Sequence, residues 1–316
     1  MPQRIVSLLP SATEIVCALG ARHMLVGRSH ECDFPDGVDE LPILTRTRLS
    51  PLRSSVDIDR NVRAAVEHAL SVYEIDAAQL SGLNPDLIVT QDLCDVCAVS
   101  FEDVCTVVRE TVHSNVEIVR LHPERLSDIW SDIRQTGRAL GCEGGTEALL
   151  QHLNQRVAAV RKRAEGVTSR PQVLMVEWLE PVMIGGLWTA ELVEIGGGRP
   201  LASTTAVKAG ILSRDQLAQL RPDVVMLKPC GFKLAQTLGE AHILSRVLPL
   251  DLWPAARHDR VYAVDGNAYF NRPGPRIVDS LEILAACLHP QLFPDFKMSY
   301  RDAVRRITAG LSYTDW

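Results

Sequence analysis

Short uninterrupted apolar runs alternate along the chain with stretches whose apolar residues recur at helical intervals. Residues 83–97 read LNPDLIVTQDLCDVC and residues 220–232 read LRPDVVMLKPCGF. Each phrase has a Leu-x-Pro-Asp start, a β-branched or aliphatic run and a loop carrying cysteine. A run of that kind reads as a strand buried on both faces, as in a parallel sheet. The phrases lie about half a chain apart, so each half is expected to hold a buried parallel sheet.

The rest of the pattern fills in an α/β order. Residues 4–9 enter a first strand, and Ser11-Ala12-Thr13-Glu14 has the spacing of a capping box, so a helix is expected from Ser11 to a stop at Gly20. Further strands are expected at 24–27, 86–90, 116–121, 173–176, 223–227 and 261–264. Helices are expected at 61–70, 75–83, 102–112 (capped by Ser100), 189–195, 214–220 (capped by Ser213) and 276–288. Residues 34–60 read as loop, 265–275 as a Gly/Pro/Asn-rich loop, and 124–165 as mostly helical. The expected fold class is α/β, two lobes with parallel-type central sheets joined by a helical connector. The expected domains are an N-terminal lobe at 1–121, connecting helices at 122–167 and a C-terminal lobe at 168–316. Ligands of open α/β sheets bind outside the carboxyl ends of the strands, so a ligand is expected in a cleft between the lobes.

Composition narrows the function classes. A net charge of −6 over 316 residues lacks the basic excess of a nucleic-acid-binding protein. No run reaches the roughly 18 apolar residues of a membrane span. The chain enters its first strand without a signal-peptide pattern, which gives an expected cytoplasmic location, or a periplasmic or extracellular one if a leader has been removed. Eight cysteines in a cytosolic chain argue against a disulfide framework. Cys17, Cys105, Cys142 and Cys287 read as packing residues. Cys32, Cys94, Cys97 and Cys230 stand in polar loops.

Cys94-Asp95-Val96-Cys97 is a C-x-x-C pair with three open readings: loop packing, contact with a metal or metal complex such as half of a zinc site, and thiol redox chemistry. Joined by Cys230 and His30, it would make a mixed N/S set suited to a soft or borderline metal. His30-Glu31-Cys32-Asp33 is either a solvated loop or a lining with a histidine able to donate or coordinate near neutral pH. Trp178, Trp188, Phe232, Tyr269 and Phe270 fall in predicted loops of a chain that is only 5% aromatic. As a set they suit a large flat conjugated ligand. Asn267 and Arg272 are candidates for holding its amides or carboxylates. Glu177 follows a buried strand, where a carboxylate must pair, bind ligand or face water; Arg28 and Lys208 are the candidate partners. Tyr73, Ser11, Ser29, Glu31, Gln91 and Asp92 complete the expected ligand-binding set.

The opening RIVSLLPSATEIVCALG, the two Leu-x-Pro-Asp strands, the helical middle and the closing VYAVDGNAYFNRPGPRIVDSLEIL together resemble the helical-backbone class of periplasmic binding proteins, in its cobalamin and iron–siderophore branch. A leaderless subgroup labelled cobalamin-binding is similar in RSHECDFP, TQDLCDVCAVS, PCGF and DGNAYFNRPGPR. The resemblance implies a rigid pair of lobes, capture of a cobalamin-like or other metal-containing small molecule without a catalytic step, and an ABC transporter permease as partner. The competing expectation is a cytosolic thiol- or metal-dependent enzyme on the same scaffold, using Cys94, Cys97, Cys230 and His30.

Overall fold

The computed structural model describes residues 2–48, 54–67, 72–93, 100–111, 115–308 and 310–316. They form two compact units. The first comprises Met1–Arg53, Asp57–Pro123 and Ser127–His152; the second comprises Ser54–Val56, Glu124–Leu126 and Leu153–Trp316.

Ahead of α6 (Glu143–Glu165) the chain runs β1 (Ile5–Ser7), α1 (Pro10–Ala18), β2 (Leu25–Arg28), β3 (Thr45–Thr47), α2 (Ser55–Glu67), β4 (Tyr73–Ile75), α3 (Ala77–Leu83), β5 (Leu87–Gln91), α4 (Phe101–Thr111), β6 (Glu117–Leu121) and α5 (Leu126–Leu140), all in the first unit except the first residues of α2 and α5. Four strands make a sheet in the order β2-β1-β5-β6, and every pairing in it is parallel. All five residues of β5 are buried, as its apolar run requires. Val6, Leu8 and Ile88 pack there with Leu44, Leu80 and Val104. β3 and β4 form a separate antiparallel pair.

The chain passes into the second unit within α6 (Glu143–Glu165). Next come β7 (Gln172–Trp178), β8 (Met183–Ile184), α7 (Thr189–Ile195), β9 (Arg199–Pro200), β10 (Gly210–Ile211), α8 (Arg214–Gln219), β11 (Val224–Leu227), α9 (Leu234–Gly239), α10 (Leu244–Val247), α11 (Pro254–Arg257), β12 (Val261–Val264), α12 (Ile277–Leu288), α13 (Pro294–Ser299), β13 (Val304–Ile307) and β14 (Tyr313–Thr314). The sheet order is β10-β8-β7-β11-β12-β13-β14, with β9 beside β7. Its centre, β7-β11-β12, is parallel, and antiparallel strands finish both edges. Arg156 of α6 holds α12: Nε donates to Glu282 Oε1 at 2.9 Å and a terminal nitrogen to Asp279 Oδ1 at 2.5 Å.

The repeated phrase has one structural job in both sheets. Asp86 stands just ahead of β5, and its carboxylate accepts from the backbone N–H groups of Gln3 and Arg4 at 2.8 and 3.1 Å. Asp223 stands just ahead of β11 and accepts from Gln172 N–H at 2.8 Å. Each aspartate ties its own strand to the start of the neighbouring parallel strand. The strands concerned, β5 and β11, are interior members of their sheets.

Three expectations need correction. The capping box at Ser11 does not form: Leu9 is the cap residue with an extended backbone, and Pro10 opens α1. Proline suits the first helical position because its missing N–H has no helical partner to lose. Ser11 therefore lies inside the helix, with its hydroxyl buried and unbonded. Residues 34–60 are not all loop, since β3 and the start of α2 fall there. Ile75 belongs to β4, and α3 begins after Asp76, whose side chain accepts from Gln79 N–H at 2.9 Å. Among the described residues no helix is long and apolar enough to cross a membrane.

Candidate functional site

In the first unit the carboxyl ends of β1 and β2 carry a hydroxyl-rich network. Thr13 donates to Ser7 Oγ at 2.8 Å and approaches Cys32 Sγ at 3.0 Å. Cys32 stands in a loop, as expected, but its thiol is buried. Thr45, buried on β3, donates to Ser29 Oγ at 3.0 Å and lies 2.7 Å from His30 Nδ1. Thr45 Oγ1 also accepts from the His30 backbone N–H at 3.1 Å, and the hydrogen of its contact with Nδ1 follows the tautomer of the ring. Nε2 is buried, with Glu31 Oε1 3.5 Å away. Burial lowers the His30 pKa; Glu31 opposes the shift and Arg28 adds to it. Tyr73 packs on the imidazole with ring centroids 5.3 Å apart. Arg28 donates to the carbonyls of Ser29, Cys32 and Asp39, so it shapes this loop.

At the carboxyl ends of β5 and β6, Gln91 is buried and Asp92 is half-buried. Asp92 Oδ1 meets His122, and its Oδ2 pairs with Arg120 at 3.1 Å. Nearby, burial pushes the carboxyl of Asp132 up to about 7, against a lowering hydrogen bond from the His122 backbone.

In the second unit the carboxyl ends of β7 and β11 meet in a charged pair. Lys228 Nζ lies 2.8 Å from Glu177 Oε2 and 2.8 Å from Asn271 Oδ1. Asn271 is fixed in turn, donating to the Lys228 and Gly266 carbonyls at 3.0 and 2.8 Å. A Cβ on Gly266 would lie 2.1 Å from the Pro229 carbonyl oxygen, so only glycine permits this approach. Neither Arg28 nor Lys208 serves as the partner of Glu177. Lys208 is exposed, and the pairing cation is Lys228. Neither Lys228 nor Asn271 was among the sequence candidates. The available signal was position, because Lys228 follows its buried strand just as Glu177 follows most of its own.

The aromatic residues divide into two groups. Trp178 and Phe232 meet edge to face at 5.2 Å, and Trp178 Nε1 donates to the Ser55 carbonyl at 3.2 Å. Trp178 is partly exposed while Phe232 is buried. Trp188 and Phe270 are buried, and Trp188 Nε1 donates to the Phe270 carbonyl at 2.8 Å. Tyr269 is partly exposed, between Tyr300 and the Arg276 guanidinium. Asn267 accepts from Arg272 at 2.9 Å, so these two polar residues brace the loop together. Asp265 accepts from the backbone N–H groups of Asn267 and Ala268. Cys230 is half-buried and donates its backbone N–H to the Glu177 carbonyl at 3.1 Å.

Cys94 and Cys97 lie outside the described residues. Among the described residues no group of three or more His, Cys, Asp or Glu side chains is placed to hold a metal ion. The expected zinc site has no support there.

A substrate-binding lipoprotein of an ABC transporter from Bacillus subtilis is 22% identical over 93% of this chain and 82% of its own length. The vitamin B12-binding protein of Pectobacterium carotovorum is 20% identical over 88% of this chain and 85% of its own. A periplasmic heme-binding protein from Pseudomonas aeruginosa superposes with a TM-score of 0.69 at 23% identity, over 92% of this chain and 94% of that one. The periplasmic vitamin B12-binding protein of Vibrio cholerae superposes with a TM-score of 0.65 at 19% identity, over 92% and 97%. These relatives correct the expected cytoplasmic location, since they are described as periplasmic or as a lipoprotein and point outside the cytoplasm. The family model described as periplasmic binding protein matches residues 5–268, and the chain belongs to that family.

Proposed function

We propose that this chain is the substrate-binding component of an ABC importer and captures a cobalamin-like corrinoid or a related metal-bearing macrocycle without a chemical step. The observation that carries the reading is the composition of the strand ends in the second unit. There the Trp178–Phe232 aromatic pair belongs to the same strand ends as the Glu177–Lys228–Asn271 polar network. Flat apolar surface with a few fixed polar groups is what a large conjugated ligand requires. Relatives described as vitamin B12-binding and heme-binding support the ligand class. In this reading the metal arrives inside the ligand, and the partner that receives the ligand is a transporter permease.

The test is calorimetric titration of the purified chain with hydroxocobalamin and, separately, with hemin, read in parallel by tryptophan fluorescence. Saturable binding of at least one at 1:1 stoichiometry, with Trp178 quenching lost in Trp178→Phe, is the expected result. No heat with either ligand, and no quenching beyond the inner-filter effect, sinks the reading.

A further inference from the structure

Resting on that reading, we propose that Glu177 selects ligands whose periphery carries amide N–H groups and rejects those that carry carboxylates. The argument begins with how the lysine is used. Lys228 is 1% exposed and gives two of its three ammonium hydrogens to Glu177 Oε2 and Asn271 Oδ1. Its charge is enclosed by protein and does not present a donor to an incoming anion. Both hydrogens of the Asn271 amide are taken by the carbonyls of Lys228 and Gly266. Arg272, a second cation of this region, is buried and donates to Asn267.

Glu177 is the opposite case. Its side chain is 28% exposed. One oxygen is held by Lys228, and among the described residues Oε1 has no hydrogen-bond partner. The backbone aims it: the register between β7 and β8 shifts between Val176 and Trp178, and such a bulge re-directs the side chain it carries. The network therefore presents one anionic acceptor, pre-oriented by a buried ammonium, beside Trp178. An amide N–H satisfies that acceptor with a charge-assisted hydrogen bond. A ligand carboxylate offers it no hydrogen and meets like charge, a juxtaposition that discriminates strongly between partners.

The experiment keeps ring and metal constant and changes only the periphery. Cyanocobalamin and its monocarboxylic acids, in which single side-chain amides are hydrolysed, are titrated calorimetrically at pH 7.5 against wild type, Glu177→Gln, and the double variant Glu177→Gln/Lys228→Met. The double variant removes the buried charge together with its partner, so a folding loss in the single variant leaves the comparison intact. Wild type is expected to bind the amide form more tightly than at least one of the acids by about tenfold or more. That preference is expected to fall to near parity in any folded variant lacking the carboxylate. Equal binding of all forms by wild type overturns the inference, as does a preference unchanged by Glu177→Gln. Tighter binding of an acid also overturns it and assigns the periphery to a cation such as Arg276. Binding of no corrinoid at all overturns this inference, and it removes the parent reading as well only where hemin also fails to bind.

Discussion

Lys228 Nζ and Glu177 Oε2 lie 2.8 Å apart, and the lysine side chain is 1% exposed while the glutamate is 28% exposed. The two partners are unequal. Glu177 can be hydrated if it loses the lysine, whereas among the described residues Lys228 has only Asn271 to fall back on. A buried charge left without its partner costs far more than the pair contributes.

That asymmetry gives the first prediction. Glu177→Ala is expected to destabilise the chain by about 3 kcal/mol, and Lys228→Met by only about 1 kcal/mol, the glutamate then turning to water. Urea unfolding followed by circular dichroism measures both. Equal losses would mean that water reaches the ammonium. The double variant Glu177→Ala/Lys228→Met is expected to be more stable than Glu177→Ala alone.

Gly266 supports the same network through its backbone. Its missing side chain lets the loop after β12 approach within 2.1 Å, counted from a Cβ position, of the Pro229 carbonyl oxygen. The neighbour that must yield is backbone, so no rotamer change relieves the clash. Gly266→Ala is expected to lower stability by about 2 kcal/mol or more. Gly144→Ala, in the first turn of α6 where nothing lies within 4 Å, is expected to be neutral or slightly stabilising because alanine loses less backbone freedom than glycine on entering a helix. Comparable melting temperatures for the two variants would contradict this reading of the loop.

What could be read in the sequence follows from how local each cause is. Asp86 and Asp223 were legible because the same side-chain job recurs before the same kind of apolar run. Ser213 was legible because its capping box with Gln216 involves only adjacent residues. Ser11 carries the same spacing, yet Pro10 opens the helix and the cap falls on Leu9, two residues earlier. The strands β8, β9 and β10 are two residues each, too short for periodicity to register. Glu177 could be singled out on its own strand, but its partner sits 51 positions away and only the β7–β11 pairing brings them together. Cys32 stood in a polar stretch, and the Thr13 contact that makes it a core residue comes from a different element.

His30 gives a prediction with a definite sign. Burial holds its pKa below the usual histidine range, so the folded chain favours the neutral ring. An unfolded histidine titrates near pH 6.5. Between the depressed folded value and that point the unfolded chain binds more protons, so stability rises with pH through this window. The contribution is complete above about pH 6.5 and is lost as pH falls through the folded pKa. NMR titration of the His30 ring is expected to give a midpoint below 6.5. His30→Gln is expected to remove this share of the acid sensitivity. A midpoint at or above 6.5 would show that Glu31 outweighs burial.

Asp132 has the opposite sign. Its carboxyl is pushed up to about 7, first by burial and then by the neighbouring Asp128 and Asp92 charges, against the His122 backbone and side chain. It is 7% exposed, and its Oδ2 has no hydrogen-bond partner. Below about pH 4 the carboxyl is protonated in both folded and unfolded chains, and it contributes nothing to pH dependence. From there to about pH 7 the folded chain holds the extra proton, so stability falls as pH rises. Above about pH 7 the cost is constant, on the order of 4 kcal/mol if the whole shift is expressed. Asp132→Asn keeps an oxygen for the His122 N–H and removes the charge. It is expected to stabilise the chain by roughly 1–3 kcal/mol at pH 8, because the new amide hydrogens are buried without acceptors. At pH 4 the gain should vanish. Chemical unfolding of wild type and variant at pH 4, 6 and 8 measures the difference, and a gain that does not grow with pH would show that Asp132 is ionised and satisfied in the folded chain.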